Sequence, residues 1–258
     1  MRLVTPTMPQ RRRIDFLGVP LDLLSMSDTV VLVQDAMRTK KRLQHVVVNV
    51  AKFVNMRENE ELRRDIIESD VINIDGMGIV LGCRLLGVRG VERVAGIDLM
   101  KEVLQLCAFE GFRPYFLGAT QEVLEKAVAT IKLKFPTLSI AGYRNGYYKP
   151  DEQEGIASSI RTSGADCLFV AISSPIKERF IRAHRDALGV SFIMGVGGAL
   201  DVVAGVTKRA PPWMQQAGLE WLYRVIQEPR RLWKRYLITN VRFAMILARA
   251  LLAKRRGE

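Results

Sequence analysis

Five short apolar runs constrain this chain more than any other feature. HVVVNV (45–50), VINI (71–74), PYFLG (114–118), CLFVAI (167–172) and SFIMGV (191–196) are rich in β-branched and aromatic residues, and their hydrophobicity is continuous rather than alternating. A strand with one face in water alternates, whereas a continuous run needs cover on both faces. The segments between the runs can supply it. TQEVLEKAVATIKLKF (120–135), for example, repeats apolar residues at helical spacing behind Thr120, a residue suited to N-capping. The pattern predicts an α/β fold, a mostly parallel Rossmann-like sheet flanked by helices. With 258 residues, 48% of them hydrophobic, the chain can bury such a sheet.

After KRAPPW (208–213) the pattern changes. No further strand is expected, and the remaining residues read as helices with a break near Pro229. We therefore divide the chain into an α/β domain, residues 1–205, and a basic helical C-terminal appendage, residues 206–258. Between Lys208 and Glu258, twelve Lys/Arg face three Glu, a net of +9, so residues 1–207 carry only +3 of the formal +12. Trp213, Trp221 and Trp233, all the tryptophans of the chain, lie in the same stretch. Interleaved basic and aromatic residues suit a module that meets an anionic partner, either an interfacial helix or a phosphate clamp. Arg242 and Arg249 interrupt the longest apolar run, so the expectation is a helix that meets a membrane at its surface and does not cross it. The residues after Arg11-Arg12-Arg13 include Asp15, Pro20 and Asp22 and make no signal-peptide core, so secretion is not expected.

In open parallel sheets, ligands bind beyond the carboxyl ends of the strands. Polar or glycine-rich pieces follow each run here: Asn49, Asp75-Gly76, Gly118, Ser173-Ser174, and Gly197-Gly198. One such turn would mean nothing, but several on one edge point to a pocket. Asp75 fits an Asx-turn or helix cap as well as a catalytic carboxylate, and the glycines after it allow close approach of a ligand or of backbone. In ERVAGIDLM (92–100), Asp98 either caps the following helix or joins a polar site. Arg93 either binds an anion or pairs with Asp98. Ser174 and Lys177 lie at an expected helix start suited to an anion.

Several chemistries are set aside. Gly76, Gly78 and Gly82 miss the dinucleotide fingerprint by one residue, which argues against a nicotinamide oxidoreductase. There is no GxxxxGK[ST], no GxSxG and no Asp-x-Asp, and His45 and His184 lack partners at metal spacing. Cys83, Cys107 and Cys167 sit in apolar contexts and read as reduced core residues. A non-enzymatic nucleic-acid-binding protein would also use a basic, aromatic-bearing module. It gives no reason for the polar strand ends, and no helix-turn-helix, RRM or KH pattern is present.

Together NIDGMGIV, RVAGIDLM, FLGA, GYRNGYY, the Ser-Pro-x-x-Glu of residues 174–178 and GVGGALDVVAGVTKRAPPWMQQAGLEWLYRVIQEPRRLWKRY resemble the WecG/TagA/CpsF glycosyltransferases over residues 14–243. The resemblance implies transfer of a hexose or N-acetylhexosamine-type sugar from a UDP-sugar to an undecaprenyl-diphosphate-linked sugar. That reaction would take place at the cytoplasmic membrane face, in surface polysaccharide or teichoic acid synthesis. It makes Asp75 the catalytic base, and it gives Arg224 and Arg231 of the appendage the role of contacting the diphosphate or completing the active site. Three positions depart from the family pattern: Val47-Val48-Asn49 where relatives often have Thr-x-Asn, Lys177 in place of a Gln, and Lys234 in place of an Arg. Lysine keeps charge but lacks the bidentate fork. The combined reading is a cytoplasmic, peripheral, metal-independent enzyme with no cofactor. Its substrate contacts would include Asn49, Gly76, Arg93, Asp98, Gly118, Ser174, Lys177, Gly197, Gly198 and Lys234. Anionic membrane, and not nucleic acid, is the expected partner of the appendage, and assembly into homo-oligomers is left open.

Overall fold

The computed structural model describes residues 8–256. Strands β1 (Arg13–Phe16) and β2 (Val19–Asp22) pair as an antiparallel hairpin. Strands β3 (Leu43–Val48), β4 (Val71–Ile74), β5 (Pro114–Gly118), β6 (Gly142–Arg144), β7 (Cys167–Ala171) and β8 (Phe192–Gly195) form one sheet. Its order is β4-β3-β8-β7-β5-β6, with every neighbouring pair parallel. All five apolar runs are strands, and two have the expected bounds. The hairpin and β6 carry no comparable apolar run, because they are short, carry polar or proline residues, and stand at the margins of the fold.

Continuous hydrophobicity has the expected cause: helices cover both faces. One face packs against helices Met26–Thr39, Gly96–Glu110, Gln121–Lys134 and Ala199–Val203. The other packs against Val50–Asn55, Glu60–Ile67, Met77–Leu85, Gln153–Thr162 and Ile176–His184. Helix Gln121–Lys134 starts at Thr120, whose hydroxyl accepts from the Val123 N–H at 3.3 Å. Cys83, Cys107 and Cys167 are buried free thiols within these layers. The chain leaving β8 turns to the first face, while the chains leaving its neighbours β3 and β7 turn to the second. Such divergence opens a crevice at the carboxyl edge of the sheet.

Residues 206–256 form helices Pro212–Gln216, Glu220–Gln227 and Pro229–Arg256, with the break at Glu228–Pro229. The long helix is docked on the sheet domain. Phe243 meets the Phe53 ring edge-on at 5.5 Å and the Phe16 ring at 6.5 Å, and Leu247 joins the same core. Burying one such aromatic side chain contributes roughly 2–3 kcal/mol. Gly82 makes room for it, since a Cβ there would lie 3.0 Å from Phe16 and 3.2 Å from Phe243. The opposite side is also apolar: Leu237, Ile238, Val241, Met245 and Leu252 are 48–55% exposed. By length and composition alone, Pro229–Lys254 also meets the measure of a membrane-crossing helix, although Arg242 and Arg249 interrupt its apolar sequence. Arg242 and Arg249, seven residues apart, share one flank and leave the apolar stripe unbroken.

Candidate active site

The register of β3 and β4 pairs Val48 with Ile74, so Asn49 and Asp75 leave the sheet side by side. The Asp75 N–H extends the ladder to the Val48 carbonyl at 3.0 Å. Asn49 then caps helix Val50–Asn55, its Oδ1 accepting from the Lys52 N–H at 3.0 Å. Gly76, not Asp75, is the cap residue of helix Met77–Leu85, which removes the cap reading of Asp75. The glycines also serve packing more directly than ligand access. A Cβ on Gly76 would stand 3.3 Å from Asn49, and one on Gly78 would stand 2.6 Å from Val50.

The Asp75 carboxylate faces Arg93 instead. Arg93 Nη2 lies 3.5 Å from Asp75 Oδ1, and Arg93 Nε donates to the Asp75 main-chain carbonyl at 2.7 Å. The same guanidinium donates to Glu220 Oε2 of the appendage at 2.5 Å. Arg209 forks onto Asp98 at 2.5 and 2.6 Å, and its Nε stands 3.6 Å from Glu220 Oε1. Asp98 is therefore a docking point for the appendage and not the helix cap, which is Ala95. Arg93 pairs with Asp75 and Glu220 rather than with Asp98. Two arginines and three carboxylates thus bind the appendage across the end of β4.

Burial pushes the Asp75 carboxyl up to about 6. Arg93 opposes the rise, Glu220 adds to it, and Arg224 and Lys52 oppose it less. Burial also raises Asp98, but the Arg209 fork outweighs it and holds that carboxyl below the usual range. Beyond β8, Gly197 (φ 51°) and Gly198 lead into helix Ala199–Val203. The carboxyl of Asp201 there is raised by burial and lowered by the positive charges of Arg231 and Arg224. Both appendage arginines therefore bear on the carboxyl edge of the sheet, Arg224 on Asp75 and Asp201, and Arg231 on Asp201. Arg231 also pairs with Glu228 at 2.7 Å.

Other expected contacts are dispersed. Gly118 (φ 130°) closes β5 against β7, where a Cβ would stand 2.5 Å from the Ala171 carbonyl group, so packing alone requires glycine. Ser174 is exposed ahead of helix Ile176–His184. Lys234 is exposed on the long helix, its ammonium 5.6 Å from the Trp233 ring. Lys177 is buried, with its ammonium 3.4 Å from Glu178 Oε1; Lys52 approaches the same oxygen at 3.1 Å. Glu220, Arg209, Lys52 and Asp201 were not foreseen. Glu220 left one trace, as one of three acids among twelve cations in the appendage. Among the described residues, no three His, Cys, Asp or Glu side chains converge as a metal site.

A carboxyl with its pKa near neutrality, held at a strand end by an arginine and ringed by cations, can accept a proton beside a bound anion. These features, on a parallel α/β sheet closed by a basic helical appendage, agree with the sequence of the whole chain. Residues 14–257 match the Glycosyl transferase WecG/TagA/CpsF family, and the chain belongs to that family. A relative is the N-acetylglucosaminyldiphosphoundecaprenol N-acetyl-beta-D-mannosaminyltransferase of Bacillus subtilis (strain 168), 38% identical over 169 residues. The aligned part takes in 66% of this chain and 65% of that protein, just under two thirds of its length.

Proposed function

We propose that the protein is an inverting glycosyltransferase. It moves a hexose or N-acetylhexosamine-type sugar from a UDP-sugar to an undecaprenyl-diphosphate-linked sugar at the cytoplasmic face of the membrane. The observation that carries this reading is Asp75, a carboxyl shifted to about 6 at a strand end beside Arg93, whose guanidinium is itself anchored by Glu220. Near neutral pH it is largely ionised yet basic enough to take a proton. Asp75 accepts the proton of the acceptor hydroxyl as that oxygen bonds to the anomeric carbon. On the opposite side the bond from that carbon to the diphosphate oxygen breaks, and UDP leaves with the electron pair. Arg224 and Arg231 meet the charge that develops there. Cations and N–H groups suffice for this role, and the reading needs neither a metal nor a cofactor. Residues 1–205 form the catalytic domain, and residues 206–258 complete its site.

The acceptor's lipid gives the exposed apolar stripe a purpose. Leu237, Ile238, Val241, Met245 and Leu252 face away from the domain, with Arg242 and Arg249 on the flank. That arrangement supports a helix lying on anionic lipid, each basic residue near the surface adding about 1 kcal/mol. The test of the reaction is UDP release from a panel of UDP-sugars, with and without a soluble lipid-diphosphate-sugar acceptor. Release that requires acceptor is the expected result; release from no donor in its presence would refute the reading.

A further inference from the structure

Helix Met77–Leu85 presents two large apolar side chains to solvent, Leu81 and Leu85, which are 56% and 50% exposed. Neither takes part in the chemistry at Asp75. Positions 78, 81, 82 and 85, three or four residues apart, share one side of a helix. Gly78 and Gly82 of that side stand against Phe243, where a Cβ would lie 3.9 and 3.2 Å from its ring. The two leucines therefore adjoin the docked long helix. Lys254 makes a second tie, its ammonium donating to the Leu86 carbonyl at 2.7 Å. Contacts at both places lay helix Met77–Leu85 alongside the C-terminal half of the long helix.

The chain then enters a loop of opposite character. Gly87 and Gly90, with φ of 86° and 74°, turn it around an open cavity of about 670 Å³ whose lining includes Arg84, Arg89 and Glu92. Arg84 makes one long bond, to the Val91 carbonyl at 3.4 Å, and among the described residues neither arginine lies within 4 Å of a carboxylate. With Lys254 on its border, the loop gathers three cations against one acid. Apolar side chains beside cations repeat the pattern of the long helix, where Leu237, Val241, Met245 and Leu252 are flanked by Arg242 and Arg249. That pairing suits the boundary between lipid tails and phosphate headgroups. A second copy of the chain would bring the same cations to the contact, and nucleic acid would leave the leucines unmatched.

We propose that helix Met77–Leu85 and the loop of residues 86–92 form a second lipid contact, on the catalytic domain itself, in which Leu81 and Leu85 enter the acyl boundary while Arg84 and Arg89 hold the phosphate of an anionic phospholipid. This inference rests on the reading that the long helix lies on lipid. A single helix on a bilayer can roll about its axis, and a contact beside that axis stops the roll. The effect reaches the site, because helix Met77–Leu85 starts two residues after Asp75 and its nine residues span only about 13 Å. Seating both helices on the surface holds the base near headgroup level, where the diphosphate of a lipid-linked acceptor lies.

The test compares the full-length protein with two double variants, Leu81→Ser with Leu85→Ser and Arg84→Gln with Arg89→Gln, all four side chains being exposed. The arginine variant is expected to lose affinity for phosphatidylglycerol vesicles by about fivefold per charge removed, and to bind phosphatidylcholine vesicles as the unmodified protein does. The leucine variant is expected to bind both about tenfold more weakly. Both should transfer sugar to a soluble acceptor within about twofold of the normal rate, and more slowly to a polyprenyl acceptor held in vesicles. A second measurement needs no variant: anionic vesicles should slow amide exchange in residues 86–92 of the unmodified protein. Unchanged phosphatidylglycerol affinity in either variant, or protection of the long helix without protection of residues 86–92, would overturn this inference alone. A fall in molecular mass of the leucine variant in vesicle-free solution would also overturn it, because the face would then belong to a second copy. If the unmodified protein binds no vesicles, the reading of the long helix fails and this inference with it.

Discussion

Replacing Asp75 by asparagine keeps the shape of the side chain and removes both its charge and its ability to take a proton, so rate and stability should move in opposite directions. Under saturating donor, the transfer rate is expected to fall about 10²–10⁴-fold, the usual contribution of a general base, while donor affinity holds. In the unmodified enzyme the rate should rise with pH through about 6, as the carboxyl ionises. Stability follows from the same shift. The folded carboxyl sits at about 6 against an ordinary value of 3.8, so the folded state holds this proton more tightly than the unfolded chain does. The resulting stabilisation is fully present below the unfolded value and is lost as pH rises through about 6. Two pKa units correspond to about 3 kcal/mol in all, of which about 1.4 kcal/mol separates pH 8 from pH 5. The asparagine side chain does not titrate, so the stability of the Asp75→Asn variant relative to the unmodified protein should improve by about 1.4 kcal/mol between pH 5 and pH 8, read by urea unfolding at both. Near-normal turnover, or a stability difference that ignores pH, would refute the reasoning.

Glu220→Gln removes a charge that raises the Asp75 carboxyl, so the acid limb of the pH–rate profile should move to lower pH; an unmoved limb would disconnect the appendage from the base. Phe243→Ala should destabilise the protein by about 3–5 kcal/mol in urea unfolding, because it empties the space between Phe16 and Phe53. Leu237, Val241 and Met245 changed together to serine should abolish co-sedimentation with anionic vesicles and leave the urea midpoint in place. The docked side of the helix, Phe243 and Leu247, is untouched by these changes. Truncation at residue 241 would remove those two core residues as well and so confuse membrane binding with folding.

The sheet was legible because a strand covered on both faces must be apolar at every position, and VINI and PYFLG contain little else. Strand β6 was not, since Gly142, Tyr143 and Arg144 bury no side chain fully and pair along one edge. At the site, strand-end position singled out Asp75 and Asn49, and a polar cluster ahead of a helix singled out Arg93, but neither signal disclosed their partners. Glu220 lies 127 positions from Arg93, and Arg209 lies 111 positions from Asp98, so only the docking of the appendage reveals these pairs. Gly76, Gly78 and Gly118 stand out in the sequence as strand-end glycines, and packing has a claim on them too: a Cβ would come within 2.6 Å of Val50 at Gly78 and 2.5 Å of Ala171 at Gly118, and would be tight against Asn49 at Gly76. The long helix was ambiguous for a different reason. Both of its sides are apolar, and composition cannot say that Phe243 is docked while Val241 faces outward.

The most direct measurement is the anomeric configuration of the transferred sugar, read by NMR from the product of an α-linked UDP-sugar and a soluble lipid-diphosphate-sugar acceptor. One displacement assisted by Asp75 as base gives a β-linked product and one UDP for each sugar moved. An α-linked product would mean net retention, by two displacements or by attack on the face that UDP leaves, and would contradict the account.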